Sequence, residues 1–164
     1  LFKAAHDAGI TAITAAPLGF SATLQVFLPD QGMAFDRYFD FKESDSSAEL
    51  LSKFLVGLAP KALQRTYMDL NFIDVSNQSG PSSILGTQVA AALIGGEVIR
   101  LLLERGVSLP APHFRQFDVF HQQWAQGRLA GGNRNPLQRY KLYRLKQLFQ
   151  RNGVWADLAE LSLN

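Results

Sequence analysis

Apolar and polar positions alternate with a period of two over residues 20–28. Phe20, Ala22, Leu24, Val26 and Leu28 fall on one side, with Ser21, Thr23 and Gln25 opposite. This pattern predicts a half-covered strand of antiparallel type. Residues 10–15 do not alternate; they are small and β-branched throughout, which predicts a short strand buried on both faces, as in a parallel sheet. The eight residues before them read as the end of a helix stopped at Gly9. Pro29, Asp30, Gln31 and Gly32 supply a turn, and the aromatic-rich residues 33–41 predict a short helical or irregular cover. Ser46 and Glu49 stand at capping-box spacing and open a helix to about Leu58. Pro60 is placed to start a second helix running to about Met68, and residues 71–79 read as irregular or a short strand. The longest apolar run predicts a buried helix over residues 82–105, ended by Gly106. Gly95 and Gly96 within it each cost about 1 kcal/mol against alanine, which points to close approach of a strand or helix there. Residues 113–120 predict a further strand, and Asn135-Pro136 opens a basic helix to about Gln150.

The 164 residues suffice for one domain or a large piece of one, and 47% apolar content with 18% charge describes a globular chain. Cysteine is absent, which removes disulfides, thiolate metal sites and a cysteine nucleophile together. The long apolar helix carries Glu97 and Arg100, each costing about 2.5–3.5 kcal/mol at a bilayer centre, so no membrane span is expected. A chain without leader-like patterning fits a cytoplasmic protein; Leu1 where a Met would stand points to a fragment. Charge is uneven. Residues 1–114 hold 8 Lys/Arg against 11 Asp/Glu, while residues 115–151 hold 8 Lys/Arg against Asp118 alone. An acidic front and a basic rear predict surfaces with different partners.

Four segments, in order, resemble the C-terminal half of a ThiF-type adenylation domain, the family that includes ubiquitin-activating enzymes. These are residues 9–20 with Gly19 in a loop after a buried strand, the alternating strand at 21–28, Glu97-Val-Ile-Arg100 on the small-residue helix behind Gly80-Pro81, and Gln116-Phe117-Asp118. Residues 131–138 resemble a tail found in some bacterial ThiF-like proteins. The resemblance covers residues 1–121, with residues 122–164 as a basic helical extension. It implies an α/β fold: the C-terminal part of a Rossmann-like sheet turning from parallel to antiparallel, with covering helices. It also implies that the parent protein uses ATP and Mg²⁺ to adenylate a carboxylate, commonly that of a small ubiquitin-like or carrier protein, and that it dimerises. The nucleotide half would lie upstream of Leu1. No G-x-G-x-x-G turn occurs in this chain, so the 164 residues alone are expected to be inactive, with neither a catalytic residue nor a metal ligand of their own.

Two groups of candidate residues follow. Pro17 and Gly19 occupy the loop that the resemblance places near the nucleotide, and a plain bend between two strands is the simpler explanation of both. Arg134 beside a helix N-terminus, with Arg139, Lys141 and Arg144 on the helix itself, forms a candidate anion or partner surface; a helix cap and a solvated face are the competing explanations. Three functional readings remain open at this stage: an adenylyltransferase fragment, a dimerisation or scaffold module without chemistry, and an RNA-binding member linked to tRNA modification, nucleic acid being the least favoured partner. His6, His113 and His121 have no neighbours at metal-ligand spacing. Asp118 and His121, three apart at a strand end, make a poor catalytic pair.

Overall fold

In the computed structural model, residues 1–68 and 82–151 are described. The expectation for residues 71–79, and the Gly80-Pro81 pair, lie outside them. The chain is a mixed α/β structure built on one four-stranded antiparallel sheet in the order β1-β2-β3-β4. Helix α1 (Phe2–Asp7) ends ahead of Gly9, whose φ of +70° is the left-handed turn that glycine takes at least cost. Strand β1 (Ala12–Leu18) pairs along its length with β2 (Ser21–Phe27). Strand β3 (His113–Asp118) lies on the other side of β2, and β4 (Gln123–Arg128) closes the order beyond it.

The sheet departs from the sequence pattern in two ways. Strand β1 is half-buried along most of its length, not enclosed on both faces, because it is the outermost strand. Its outer edge pairs with nothing among the described residues, and Pro17, which has no N–H to give a ladder, is tolerated at such an edge. Strand β2 is the reverse: all seven residues are buried. Its polar side faces a second layer instead of water, and that layer supplies partners. Gln25 Nε2 donates to Leu58 O at 2.7 Å, while within the sheet the Ser21 hydroxyl accepts from Gln116 Nε2 of β3 at 2.8 Å.

Helix α2 (Phe35–Phe39) and helix α3 (Ser47–Leu58) form that layer. The aromatic stretch that predicted a cover becomes the main core, where Phe27, Tyr38, Phe39 and Leu58 are buried with Phe2, Phe35, Phe41 and Phe54 packed around them. The Ser46–Glu49 capping box forms in full. The second helix expected from Pro60 does not: a 3-10 turn at Leu63–Thr66 stands there, entered through Ala62 in the left-handed conformation at φ +48°. Long-range bonding competes with helix propagation at this point, since Gln64 Oε1 accepts from Gln116 Nε2 at 2.7 Å.

Helix α4 (Ile84–Leu102) lies over β1 and β2 on the opposite face of the sheet. It is long and apolar enough to cross a membrane by composition. Its Glu97 is nevertheless bound laterally to the sheet, with Oε2 accepting from Arg115 Nη1 of β3 at 2.6 Å. The helix is less enclosed than its sequence predicts: only Gly86, Ala90 and Glu97 are buried. Gly95 and Gly96 are not the point of close approach either; a methyl at either would meet no atom of the described residues. That role belongs to Gly86, where a methyl would collide with the carbonyl oxygen of Gly19. The chain then returns through β3 and β4 and a 3-10 turn at Gly132–Arg134 into α5 (Pro136–Arg151), which packs on α3. Strand β4 has no counterpart in the sequence pattern. Its residues sit at the sheet edge, mostly exposed, and so carry little hydrophobic pattern.

Candidate functional site

Two places gather the chemistry-bearing side chains. The first surrounds Gly19, between β1 and β2. Gly19 has φ +60°, and a methyl there would lie 2.8 Å from Tyr67 Cε2. Its carbonyl accepts from Ser83 N at 3.1 Å and from Ser83 Oγ at 2.9 Å, while the same hydroxyl accepts from Gly86 N and caps α4. The start of the long helix is thereby anchored to this bend. Pro17, two residues earlier, pairs in register with Ala22.

Tyr67 ties the bend to the end of β3. Its hydroxyl donates to Asp118 Oδ2 at 2.5 Å and accepts from Phe20 N at 3.2 Å. Asp118 is fully buried, and its Oδ1 accepts from the backbone N–H of His121 at 2.8 Å. Burial, and after it the hydrogen bond and negative charge of Asp118, hold the Tyr67 hydroxyl well above the ordinary tyrosine range. At neutral pH it is a hydrogen-bond donor to Asp118. The His121 ring turns to Thr66 Oγ1, with Nε2 2.7 Å away. Asp118 and His121 thus meet through the backbone, not as a carboxylate–imidazole pair. The rings of Phe20, Tyr67, Phe120 and His121 pack around this network at 5.2–5.8 Å.

The second place is on α5. Its four sequence candidates separate. Arg134 lies before the helix, and its Nε donates to Asp40 Oδ1 at 2.8 Å. The helix N-terminus beside it is capped by Asn135, whose Oδ1 accepts from Leu137 N at 3.0 Å. Arg139 is exposed and does not line the cleft that α5 forms with α3. Lys141 and Arg144 do line it, one turn apart, and Arg65 from the 3-10 turn joins them. The cleft has a volume of about 600 Å³. Its walls are apolar, with Leu18, Leu55, Leu145 and Leu148 among them.

The electrostatics of this cleft are one-sided. Lys141 Nζ donates to the backbone oxygen of Pro60 at 2.6 Å, and Arg144 Nη1 donates to the Tyr140 hydroxyl at 3.3 Å. Burial, and after it the positive charges of Lys61 and Arg65, pull the Lys141 ammonium below the ordinary lysine value. No carboxylate among the described residues forms an ion pair with Lys61, Arg65, Lys141 or Arg144. Sequence reasoning missed Lys61 and Arg65, because they precede α5 by more than seventy positions. The one available signal is their type: two cations just after the apolar end of α3.

Compared with protein-family models and with curated proteins, the chain matches none.

Proposed function

We propose that this chain is the antiparallel, carrier-side half of a ThiF-type adenylating unit, located in the cytoplasm, whose parent protein activates a carboxylate with ATP and Mg²⁺. One observation carries the reading: an uncovered border runs along β1 and α4. The outer edge of β1 is unpaired among the described residues, and α4, which packs over β1, exposes Ile84, Leu85, Ile99 and Leu102 by 48–77%. An open strand edge beside apolar helix surface is costly in water and seeks a partner. A parallel half-sheet joined to β1, with its helices against α4, covers both at once. Within this reading Gly19 and Pro17 set the bend from which α4 departs, and the substrate carboxylate belongs to a small ubiquitin-like or carrier protein.

A homodimer closing the same border is the second reading, favoured by the same exposed leucines and isoleucines. An ATP–pyrophosphate exchange assay separates them. The native polypeptide, purified from its source cells, exchanges pyrophosphate when its carboxylate substrate is present, and residues 1–164 alone do not. Robust exchange by the isolated 164 residues sinks the proposal. A native polypeptide that forms a stable dimer and neither binds ATP nor exchanges pyrophosphate moves the assignment to a dimerisation module.

A further inference from the structure

We propose that the cleft between α3 and α5 binds a small amphipathic anion. An apolar chain or ring would sit among Leu18, Leu55, Leu145 and Leu148, and a carboxylate or phosphate head would be held by Arg65, Lys141 and Arg144. The inference is independent of the adenylation reading: it concerns a different face, built from α3, α5 and the 3-10 turn.

Three observations converge. The first is the absence of compensation. Cations clustered with no carboxylate paired to them among the described residues repel one another; here burial first, and after it the charges of Lys61 and Arg65, disfavour the charge on Lys141. A bound anion removes that repulsion, and an anion that escaped water would gain most, because part of the cleft is shielded. The second is shape. About 600 Å³ with leucines on its walls falls within the range of roughly 300–1,000 Å³ usual for small-molecule sites, and far exceeds what a bare phosphate needs. The third is the division of labour. The four leucines and Ala59 supply apolar wall, whereas the cations reach in from two separate elements, so one end of a ligand meets leucine and the other meets charge. Guanidinium groups at Arg65 and Arg144 suit a planar carboxylate or a phosphate through paired N–H donors. A polynucleotide would need a basic track continuing along the surface, but Arg134 is already engaged by Asp40 and Arg139 lies off the cleft.

Calorimetric titration of the whole chain with octyl phosphate, kept below micelle formation, tests the proposal. Inorganic phosphate, octanol and vesicles of anionic phospholipid serve as the comparison ligands. Octyl phosphate is expected to bind at least about tenfold more tightly than inorganic phosphate or octanol, since either alone forfeits half of the contacts. Arg65→Gln and Arg144→Gln remove exposed side chains with no partner beyond Tyr140 among the described residues, and each is expected to weaken octyl phosphate by about tenfold. Leu148→Ala should weaken octyl phosphate while leaving the inorganic phosphate titration unchanged. Arg128→Gln, an exposed change on β4, controls for net charge and should have no effect. Equal affinity for inorganic phosphate overturns the amphipathic ligand, and equal affinity for octanol overturns the cationic head site. Binding to vesicles without binding to monomeric octyl phosphate replaces the cleft by a membrane-facing surface. No binding to any of them, or equal losses in Arg128→Gln and Arg144→Gln, removes the site.

Discussion

Replacing Tyr67 by Phe removes one oxygen and keeps the ring, so the consequence can be worked out from the hydrogen bonds alone. The Tyr67 hydroxyl donates to the fully buried carboxylate of Asp118 at 2.5 Å and accepts from Phe20 N at 3.2 Å. A hydrogen bond to a buried charged group contributes about 1.5–3 kcal/mol, and a neutral backbone one about 0.5–1.5 kcal/mol. Phe20 is only half-buried, so water can replace part of the second term. The expected loss is roughly 2–4 kcal/mol, corresponding to a fall in Tm of roughly 5–15 °C for a chain of this size. The ring contacts to Phe20, Phe120 and His121 survive, which isolates the polar contribution. Urea unfolding gives the free energy, and a double-mutant cycle with Asp118→Asn should return a coupling of at least about 1 kcal/mol. A Tyr67→Phe loss below about 0.5 kcal/mol, or additive single changes, would refute the claim that this network fixes the Gly19 bend. The pH dependence supplies a second reading. Because the folded-state pKa of Tyr67 is raised, its contribution is present below the unfolded tyrosine value near 10 and is lost as pH rises above it. In Tyr67→Phe the alkaline fall should be shallower, with the part due to Tyr38 remaining, since burial raises that hydroxyl too.

The glycines of α4 should divide by position. Gly86→Ala should destabilise despite the better helix propensity of alanine, because its methyl meets Gly19 O, whereas Gly95→Ala and Gly96→Ala meet no described atom and should each stabilise by up to about 1 kcal/mol. Thermal melts that rank the three alike would show that α4 does not dock at Gly86. Lys141 should give a pH signature opposite in sign to that of Tyr67. Its folded-state pKa is lowered, so the unfolded chain holds the proton more tightly, and stability should rise with pH through the window ending near 10.5. Urea midpoints from pH 7 to 10 should therefore climb in the native chain relative to Lys141→Gln; parallel curves would mean that neither burial nor the neighbouring cations disfavour the Lys141 charge.

Several elements follow from the sequence by itself, because their causes are local. The Ser46–Glu49 box, the Asn135-Pro136 helix start and the glycine after α1 each act over four or five residues, and each stands where its pattern puts it. The alternation in residues 20–28 likewise marks a strand. What lies on each side of that strand is not local. Ser21, Thr23 and Gln25 read as a water-facing side, yet α3 and the 3-10 turn cover them and supply Leu58 O and Gln64 Oε1 to the polar network. A one-dimensional pattern records polarity; it does not distinguish water from a protein amide as the partner.

The same limit governs the candidate sites. Gly19 stands out in the sequence through the resemblance that places it in a loop after a buried strand, but its partners Tyr67, Ser83 and Gly86 arrive from 48 or more positions away. Among the four basic candidates only tertiary structure separates the paired from the unpaired: Asp40, 94 residues distant, engages Arg134, while Lys141 lies near the further cations Lys61 and Arg65. The sequence alone determined the start of α3, the start of α5, the end of α1, the alternating strand and the basic character of the rear. The tertiary structure decided which charges are compensated, which glycine admits a neighbour and which edge is left open, because each depends on contacts between segments whose spacing carries no period.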